Sequence, residues 1–190
     1  MVKIVFIAGG TAGHLFPALA TMSHLQDNGD ECHLLTDQRC AHYLKSYPKI
    51  SYSIIQAQSF SGSIYKKIIA LCYSLYGIMK SYLLLRKYKA SCAIAFGGYT
   101  MFAPSIACKL LSIKLLIHEQ NIVLGQANLF FANYAYKIAL GMAQVQNLPL
   151  TLAHKTIYVG NPIRKDIILL NDYAIRAVAQ MFHILIIGGS

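Results

Sequence analysis

Lys3-Ile4-Val5-Phe6-Ile7-Ala8-Gly9-Gly10-Thr11-Ala12-Gly13-His14 opens the chain, and His183-Ile184-Leu185-Ile186-Ile187-Gly188-Gly189-Ser190 closes it on nearly the same pattern. Each is an apolar, β-branched run ending in Gly-Gly-hydroxyl, the composition of a buried parallel strand that feeds a glycine loop. After the first copy a helical pattern follows at once. That is the strand–loop–helix unit whose backbone N–H groups can hold a phosphate at a helix N-terminus. The glycines fit two arrangements, an anion pocket or a tight turn with no ligand. The second copy stops where its helix should start. The expectation is one α/β domain over 1–164, a linker with a short helix over 165–182, and the first strand and glycine loop of a truncated second domain over 183–190.

Outward from the first copy, apolar β-type runs recur at 3–8, 31–36, 51–55, 92–96, 114–118, 136–140 and 156–159. Helical patterns fill most intervals, at 14–28, 38–46, 64–88, 101–112 and 126–133. Alternation of this kind predicts βαβ crossovers and a Rossmann-like parallel sheet with helices on both faces. Ligands of such sheets bind at the carboxyl ends of the strands, so the loops after the strands are the candidate site. Four loops are rich in glycine and polar residues: Gly9 to His14, Gly97-Gly98-Tyr99-Thr100, His118-Glu119-Gln120-Asn121 and Gly160-Asn161-Pro162-Ile163-Arg164.

The chemistry of these loops is specific in part. The first is not GxGxxG, which argues against a dinucleotide fingerprint and an oxidoreductase, although Asp37 follows the second strand. His14 at the helix start is either a general base, since imidazole titrates near neutrality, or a capping side chain. His118 and Glu119 either brace the loops or contact substrate, because four polar side chains after a buried strand need partners. They lack further ligands at metal-site spacing, so no metal is expected. Arg164 offers a planar fork suited to diphosphate.

Composition narrows the partners. The 17 basic and 7 acidic side chains give a formal charge of +10, which favours anionic partners or reflects a bias toward Lys and Ile. No RNA-recognition or helix-turn-helix signature accompanies the charge, so nucleic acid is not an expected partner. Five cysteines with no CxxC pair support neither a metal nor a disulfide framework, and a reducing cytoplasm fits. No signal peptide is expected, because Met1-Val2-Lys3 runs straight into the first strand. Nor does any apolar stretch reach the roughly 18 residues that a spanning helix needs.

Residues 64–88 form the longest helical pattern. Lys66, Lys67, Ser74, Gly77, Lys80, Ser81 and Lys87 gather on one narrow side, and apolar residues including Leu75, Met79, Leu83 and Leu85 cover the rest. That apolar arc is wider than one core-facing stripe requires. It fits a helix sandwiched between sheet and neighbour, or one docked on anionic lipid through Leu75, Met79 and Lys80.

Taken together, Gly9-Gly10-Thr11-Ala12-Gly13-His14-Leu15-Phe16-Pro17-Ala18, Phe96-Gly97-Gly98-Tyr99, His118-Glu119-Gln120-Asn121 and Gly160-Asn161-Pro162-Ile163-Arg164 resemble, in order and spacing, the MurG family. These are the peptidoglycan N-acetylglucosaminyltransferases, GT-B enzymes with two Rossmann-like domains, and the resemblance covers essentially all of 1–190. It implies transfer of N-acetylglucosamine from UDP-N-acetylglucosamine to lipid I with inversion, giving lipid II, without a cofactor. It implies a peripheral place on the cytoplasmic face of the bacterial inner membrane, in cell wall biogenesis, cell shape and division. By the same resemblance His14 is catalytic, and Thr11, Ala12, Gly13, Asn121, Arg164 and Ser190 bind the sugar nucleotide. Gly98, Tyr99 and Glu119 are further candidates for substrate contact. Ala12 stands where the family usually has glycine, where a methyl would make a positive φ costly.

The chain is thus expected to supply the acceptor and membrane-binding half, to lack the C-terminal donor domain, and to turn over slowly or not at all alone. The alternative is a non-catalytic lipid-diphosphate or membrane-binding remnant of a split gene. A related GT-B enzyme with a diacylglycerol acceptor fits the 118–121 and 160–164 loops less well.

Overall fold

The computed structural model describes residues 1–56 and 64–169. Its elements are β1 (Lys3–Ile7), α1 (Ala12–Asp27), β2 (Glu31–Thr36), α2 (Ala41–Leu44), β3 (Tyr52–Ile54), α3 (Ile64–Tyr88) and β4 (Cys92–Ala95). There follow α4 (Phe102–Leu110), β5 (Lys114–Glu119), α5 (Gln126–Ala132), β6 (Lys137–Leu140), β7 (Thr156–Tyr158) and α6 (Lys165–Ile168). The seven strands expected over 1–164 are present, and all pair in parallel in the order β3-β2-β1-β4-β5-β6-β7. The α/β fold read from the sequence is the fold observed. The strand expected over 183–190, with Ser190, and the linker beyond residue 169 lie outside the described residues.

β1 shows why these runs form the sheet's centre. Ile4 and Phe6 enter one hydrophobic layer with Leu15, Leu19 and Met22 of α1, while Val5 and Ile7 enter the other with Leu85, Ala107 and Leu115. A strand apolar on both faces is stable only between two covers, hence the continuous apolar run. The strand order reverses between β1 and β4. Chains leaving their carboxyl ends diverge and open a crevice between the following loops.

Two histidines tie the sheet together. His33 on β2 stands with Nδ1 2.7 Å from the Ser51 hydroxyl and Nε2 2.9 Å from that of Ser53, bridging to β3. His118 at the end of β5 pairs through Nε2 with the Gly160 carbonyl at 3.2 Å, while Nδ1 accepts from Gln120 Nε2 at 3.1 Å. That pattern fixes a neutral ring with its proton on Nε2, joining the 118–121 loop to the loop after β7. Burial pulls both imidazoles below their ordinary value of 6.5.

The long helix departs from the wheel reading. Gly77, Ser81 and Leu85 are the residues it buries, while Leu75, Tyr76, Met79 and Leu83 are each more than half exposed. The small side faces the protein because it must come close. A Cβ on Gly77 would lie 3.1 Å from the Gln56 carbonyl oxygen and 3.2 Å from Ala103 of α4. Ser81 donates to the Gly77 carbonyl at 2.7 Å, so its buried hydroxyl is satisfied within the helix. Over 75–83 the usual amphipathicity is therefore inverted, with Gly77 and Ser81 inward and Leu75, Tyr76, Met79 and Leu83 outward, while Leu85 is buried and Ile78, Tyr82 and Leu84 pack partly on the core. The side chains of residues 64–71 lie outside the described ones. No helix among the described residues is long and apolar enough to cross a membrane.

Gly77→Leu should drive α3 off α4 and lower the unfolding free energy by about 1–3 kcal/mol, whereas Leu75→Ala should change it by no more than about 0.5 kcal/mol. Urea denaturation of both variants measures the contrast; equal losses would refute this packing. Because His33 and His118 titrate lower in the folded chain than in the unfolded one, the unfolded chain binds more protons as pH falls below about 6.5. Stability should therefore drop on acidification from pH 7 to 5. His33→Gln should make the fall in melting temperature shallower.

Candidate functional site

The loops after β1 and β4 fit together because glycine stands at each contact. A Cβ on Gly9 would lie 2.7 Å from Thr100 Oγ1, and Cβ atoms on Gly97 and Gly98 would lie 3.2 and 3.3 Å from the His14 ring nitrogens. Gly97 and Gly98 also adopt φ of +95° and +74°, which L side chains disfavour. The glycines thus serve to seat His14. Its Nδ1 lies 3.1 Å from the Thr11 hydroxyl, and the ring also bonds to the Gly9 backbone. Burial lowers the ring below 6.5, partly opposed by the Gly9 carbonyl and by the charge of Glu119. The imidazole is therefore unprotonated near neutral pH.

Glu119 organises the neighbouring loop. The residue is 1% exposed, and its carboxylate accepts four N–H groups. Oε1 takes the Asn121 backbone and side-chain amides, both at 3.0 Å; Oε2 takes Gly125 N and Asn128 Nδ2, both at 2.8 Å. One carboxylate thus folds 119–125 into a hook and sits at the N-terminus of α5, where a negative charge is favoured. Asn128, 2% exposed, keeps a side-chain oxygen with no partner among the described residues. Together these groups border a cleft of about 360 Å³ with His14, Gly98 and Tyr99 on the opposite wall.

A second charged cluster braces the first loop from behind. Asp37, 4% exposed, accepts the Thr100 hydroxyl at 3.0 Å, the Cys40 N–H at 3.2 Å and the Arg39 guanidinium at 2.6 Å. Burial works against its charge, but the Arg39 and Thr100 bonds outweigh it, and the carboxyl lies below its ordinary value. The guanidinium stacks on the Tyr99 ring at 4.5 Å. Asp37 was therefore a misleading sign of dinucleotide binding; here it joins the β2 and β4 loops.

The structure brings His14, Gly98, Tyr99, Glu119 and Asn121 into one cleft and does not bring Arg164 there. Arg164 stacks on Phe16 at 4.8 Å and donates to the Tyr47 hydroxyl at 3.3 Å, on the flank of α1. Thr11, Ala12 and Gly13 do not line that cleft. α1 begins at Ala12, two residues before the expected start, so His14 lies within its first turn. Ala12 has no positive φ, and the methyl expected to strain the loop sits in ordinary helix. The Thr11 hydroxyl meets His14 rather than capping a backbone N–H, leaving the first amides of α1 without an intrahelical partner. The buried thiols Cys32 and Cys108 are pushed up to about 11 and about 12 by burial, so neither is a nucleophile near neutrality. Sequence reasoning placed Thr100 in a candidate loop without a role and missed Arg39 and Asn128; of these two only Asn128, polar inside an apolar helical pattern, carried a readable signal.

Residues 4–140 match the glycosyltransferase family 28 N-terminal domain. A UDP-N-acetylglucosamine--N-acetylmuramyl-(pentapeptide) pyrophosphoryl-undecaprenol N-acetylglucosamine transferase of Rickettsia conorii is 39% identical over 88% of this chain and 43% of its own length. Its counterpart in Rickettsia canadensis is 36% identical over all 190 residues and 52% of its own length. The crystal structure of Acinetobacter baumannii MurG superposes with a TM-score of 0.73 at 26% identity, covering 87% of this chain and 47% of that one. The chain spans about half the length of the curated relatives it matches. With the family's fold, its loops and its sequence match over most of the described domain, the chain belongs to glycosyltransferase family 28.

Proposed function

We propose that this chain is the acceptor-binding half of an inverting transferase that moves N-acetylglucosamine from UDP-N-acetylglucosamine to lipid I, giving lipid II for peptidoglycan. The observation that carries the reading is His14, kept unprotonated by burial and seated on Gly97-Gly98 at the point where the strand order reverses. The relatives named for this reaction support it.

In this mechanism the C4 hydroxyl of the muramyl sugar lies against His14 Nε2. The hydroxyl proton passes to Nε2 as the oxygen attacks the anomeric carbon of the donor sugar. The bond from that carbon to the diphosphate breaks on the opposite face, and UDP leaves, inverting the configuration. Glu119, whose charge already acts on His14, steadies the imidazolium that forms. The free oxygen of Asn128 and the side-chain oxygen of Asn121, whose nitrogen Glu119 holds, accept hydrogen bonds from the sugars. Backbone N–H groups at Thr11, Ala12 and Gly13 face diphosphate charge, with Ser190 on the donor side, while Arg164, engaged by Phe16 and Tyr47, stays outside this contact. The outward apolar face of α3, with Leu75, Met79 and Lys80, rests on the anionic cytoplasmic leaflet where lipid I resides. That places the protein peripherally at the inner membrane, in wall synthesis, cell shape and division.

A second reading, a non-catalytic lipid-diphosphate or membrane-binding remnant, draws on the same exposed face of α3.

Titration of the purified chain with a soluble lipid I analogue, and separately with UDP-N-acetylglucosamine, tests the assignment. The analogue should bind, the nucleotide sugar should bind weakly or not at all, and His14→Ala should weaken the analogue about tenfold, one hydrogen bond in a dry cleft. A folded protein that binds neither would transfer support to the remnant reading. For the membrane face, Leu75→Glu with Met79→Glu should abolish sedimentation with anionic vesicles while the circular dichroism spectrum stays unchanged. Undiminished sedimentation would remove α3 from the interface.

A further inference from the structure

Beside the His14 cleft lies a second hollow, of about 420 Å³, between the end of β3 and α3. Its walls are Ile54, Ile55 and Tyr73, Arg39 stands in its lining, and Tyr99 borders both hollows. We propose that this slot holds a prenyl diphosphate, with Arg39 on the diphosphate and the Ile54–Ile55–Tyr73 wall on the first isoprene units. The inference rests on the acceptor reading above and extends it to how the lipid-linked end is gripped.

Arg39 has the form of a built anchor rather than a loose surface cation. Its guanidinium is fixed from two directions, by Asp37 through Nε at 3.2 Å and Nη2 at 2.6 Å and by the Tyr99 ring at 4.5 Å. Nη2 also stands 3.3 Å from where a Cβ on Gly10 would lie, so the cation abuts the first glycine loop. Asp37 is already satisfied by Thr100 and Cys40 and does not exhaust Arg39. Two of the five N–H groups of an arginine point to the carboxylate, and the rest remain for an anion. Its side chain is 51% exposed, so the free edge can be reached.

The apolar half of the slot selects the other end of the ligand. The lining also carries Asp37, Gln38 and Gln56, but Asp37 is engaged by Arg39, Thr100 and Cys40, and the two isoleucines and two tyrosine rings suit a branched hydrocarbon. Tyr73 also opens onto the exposed row Tyr76, Met79 and Leu83 of α3. An isoprenoid leaving the slot would continue along that face without crossing polar surface. The Tyr99 ring, shared by both hollows, spans the short distance between a reacting hydroxyl at His14 and a diphosphate at Arg39.

Calorimetric titration of the full chain with farnesyl diphosphate, dimethylallyl diphosphate and UDP tests the slot. Farnesyl diphosphate should bind, and Arg39→Gln should weaken it about tenfold or more, the loss of a charge-assisted hydrogen bond. Arg39→Lys should fall between, keeping the charge but losing the fork and the stack. Tyr73→Ala, on α3 and outside the Asp37 network, should weaken farnesyl diphosphate several-fold and dimethylallyl diphosphate, with its single isoprene unit, to a smaller extent. That variant tests the slot even if Arg39→Gln fails to fold. Absence of saturable farnesyl diphosphate binding, or no effect of Tyr73→Ala, would overturn the proposal. So would equal weakening of UDP by Arg39→Gln, since Arg39 would then read a nucleotide diphosphate. His14-dependent binding of a tail-free lipid I analogue separates the two readings. Its survival beside a failed farnesyl titration rejects the slot alone, and its loss beside Arg39-dependent farnesyl binding rejects the acceptor reading alone.

Discussion

The absence of three Cβ atoms holds this site together. Where β1 and β4 diverge, the loops that follow them meet at Gly9 on one side and at Gly97 and Gly98 on the other, and the space so freed is filled by Thr100 and the His14 ring. Any larger residue at these points would separate the loops or eject the imidazole. A separated pair of loops would also break the Thr100–Asp37 bond, and with it the tie between β2 and β4. The position of the basic nitrogen is thus set by backbone contact rather than by a flexible side-chain network. Such an origin gives the fixed placement that the proposed proton transfer requires.

Around that contact two buried carboxylates divide the work. Asp37 clamps the outer side of the glycine loops and immobilises Arg39, while Glu119 gathers four donors and shapes the far wall of the cleft. Each is affordable in the interior because its charge is met by hydrogen bonds from several directions. Both sit where strands end, so the sheet itself delivers them to the crevice.

Much of this was legible in the sequence. The strands were, because a strand covered on both faces must be apolar throughout, and Ile4-Val5-Phe6-Ile7 is. The four loops were, because polar and glycine residues at strand ends have few structural alternatives. The orientation of α3 was not. A hydropathy wheel sorts residues by polarity, whereas Gly77 faces inward on account of size and Ser81 because its own helix satisfies its hydroxyl. Arg164 read as a cleft residue since it follows a strand, but the ring of Phe16 and the Tyr47 hydroxyl hold it on the flank of α1. The Arg39–Tyr99 stack joins residues 60 positions apart in different βα units, and no local pattern encodes such a pair.

The inverted packing of α3 also separates two selective demands that most amphipathic helices must meet with the same residues. Its attachment rests on Gly77, Ser81 and Leu85, while its outer surface contributes little to the core. Substitutions outside can therefore accumulate without eroding the fold, and substitutions inside cannot. A lineage could retune the chemistry of that surface, its greasiness or its charge, as rapidly as the surroundings change, while the crevice at the strand ends remains untouched.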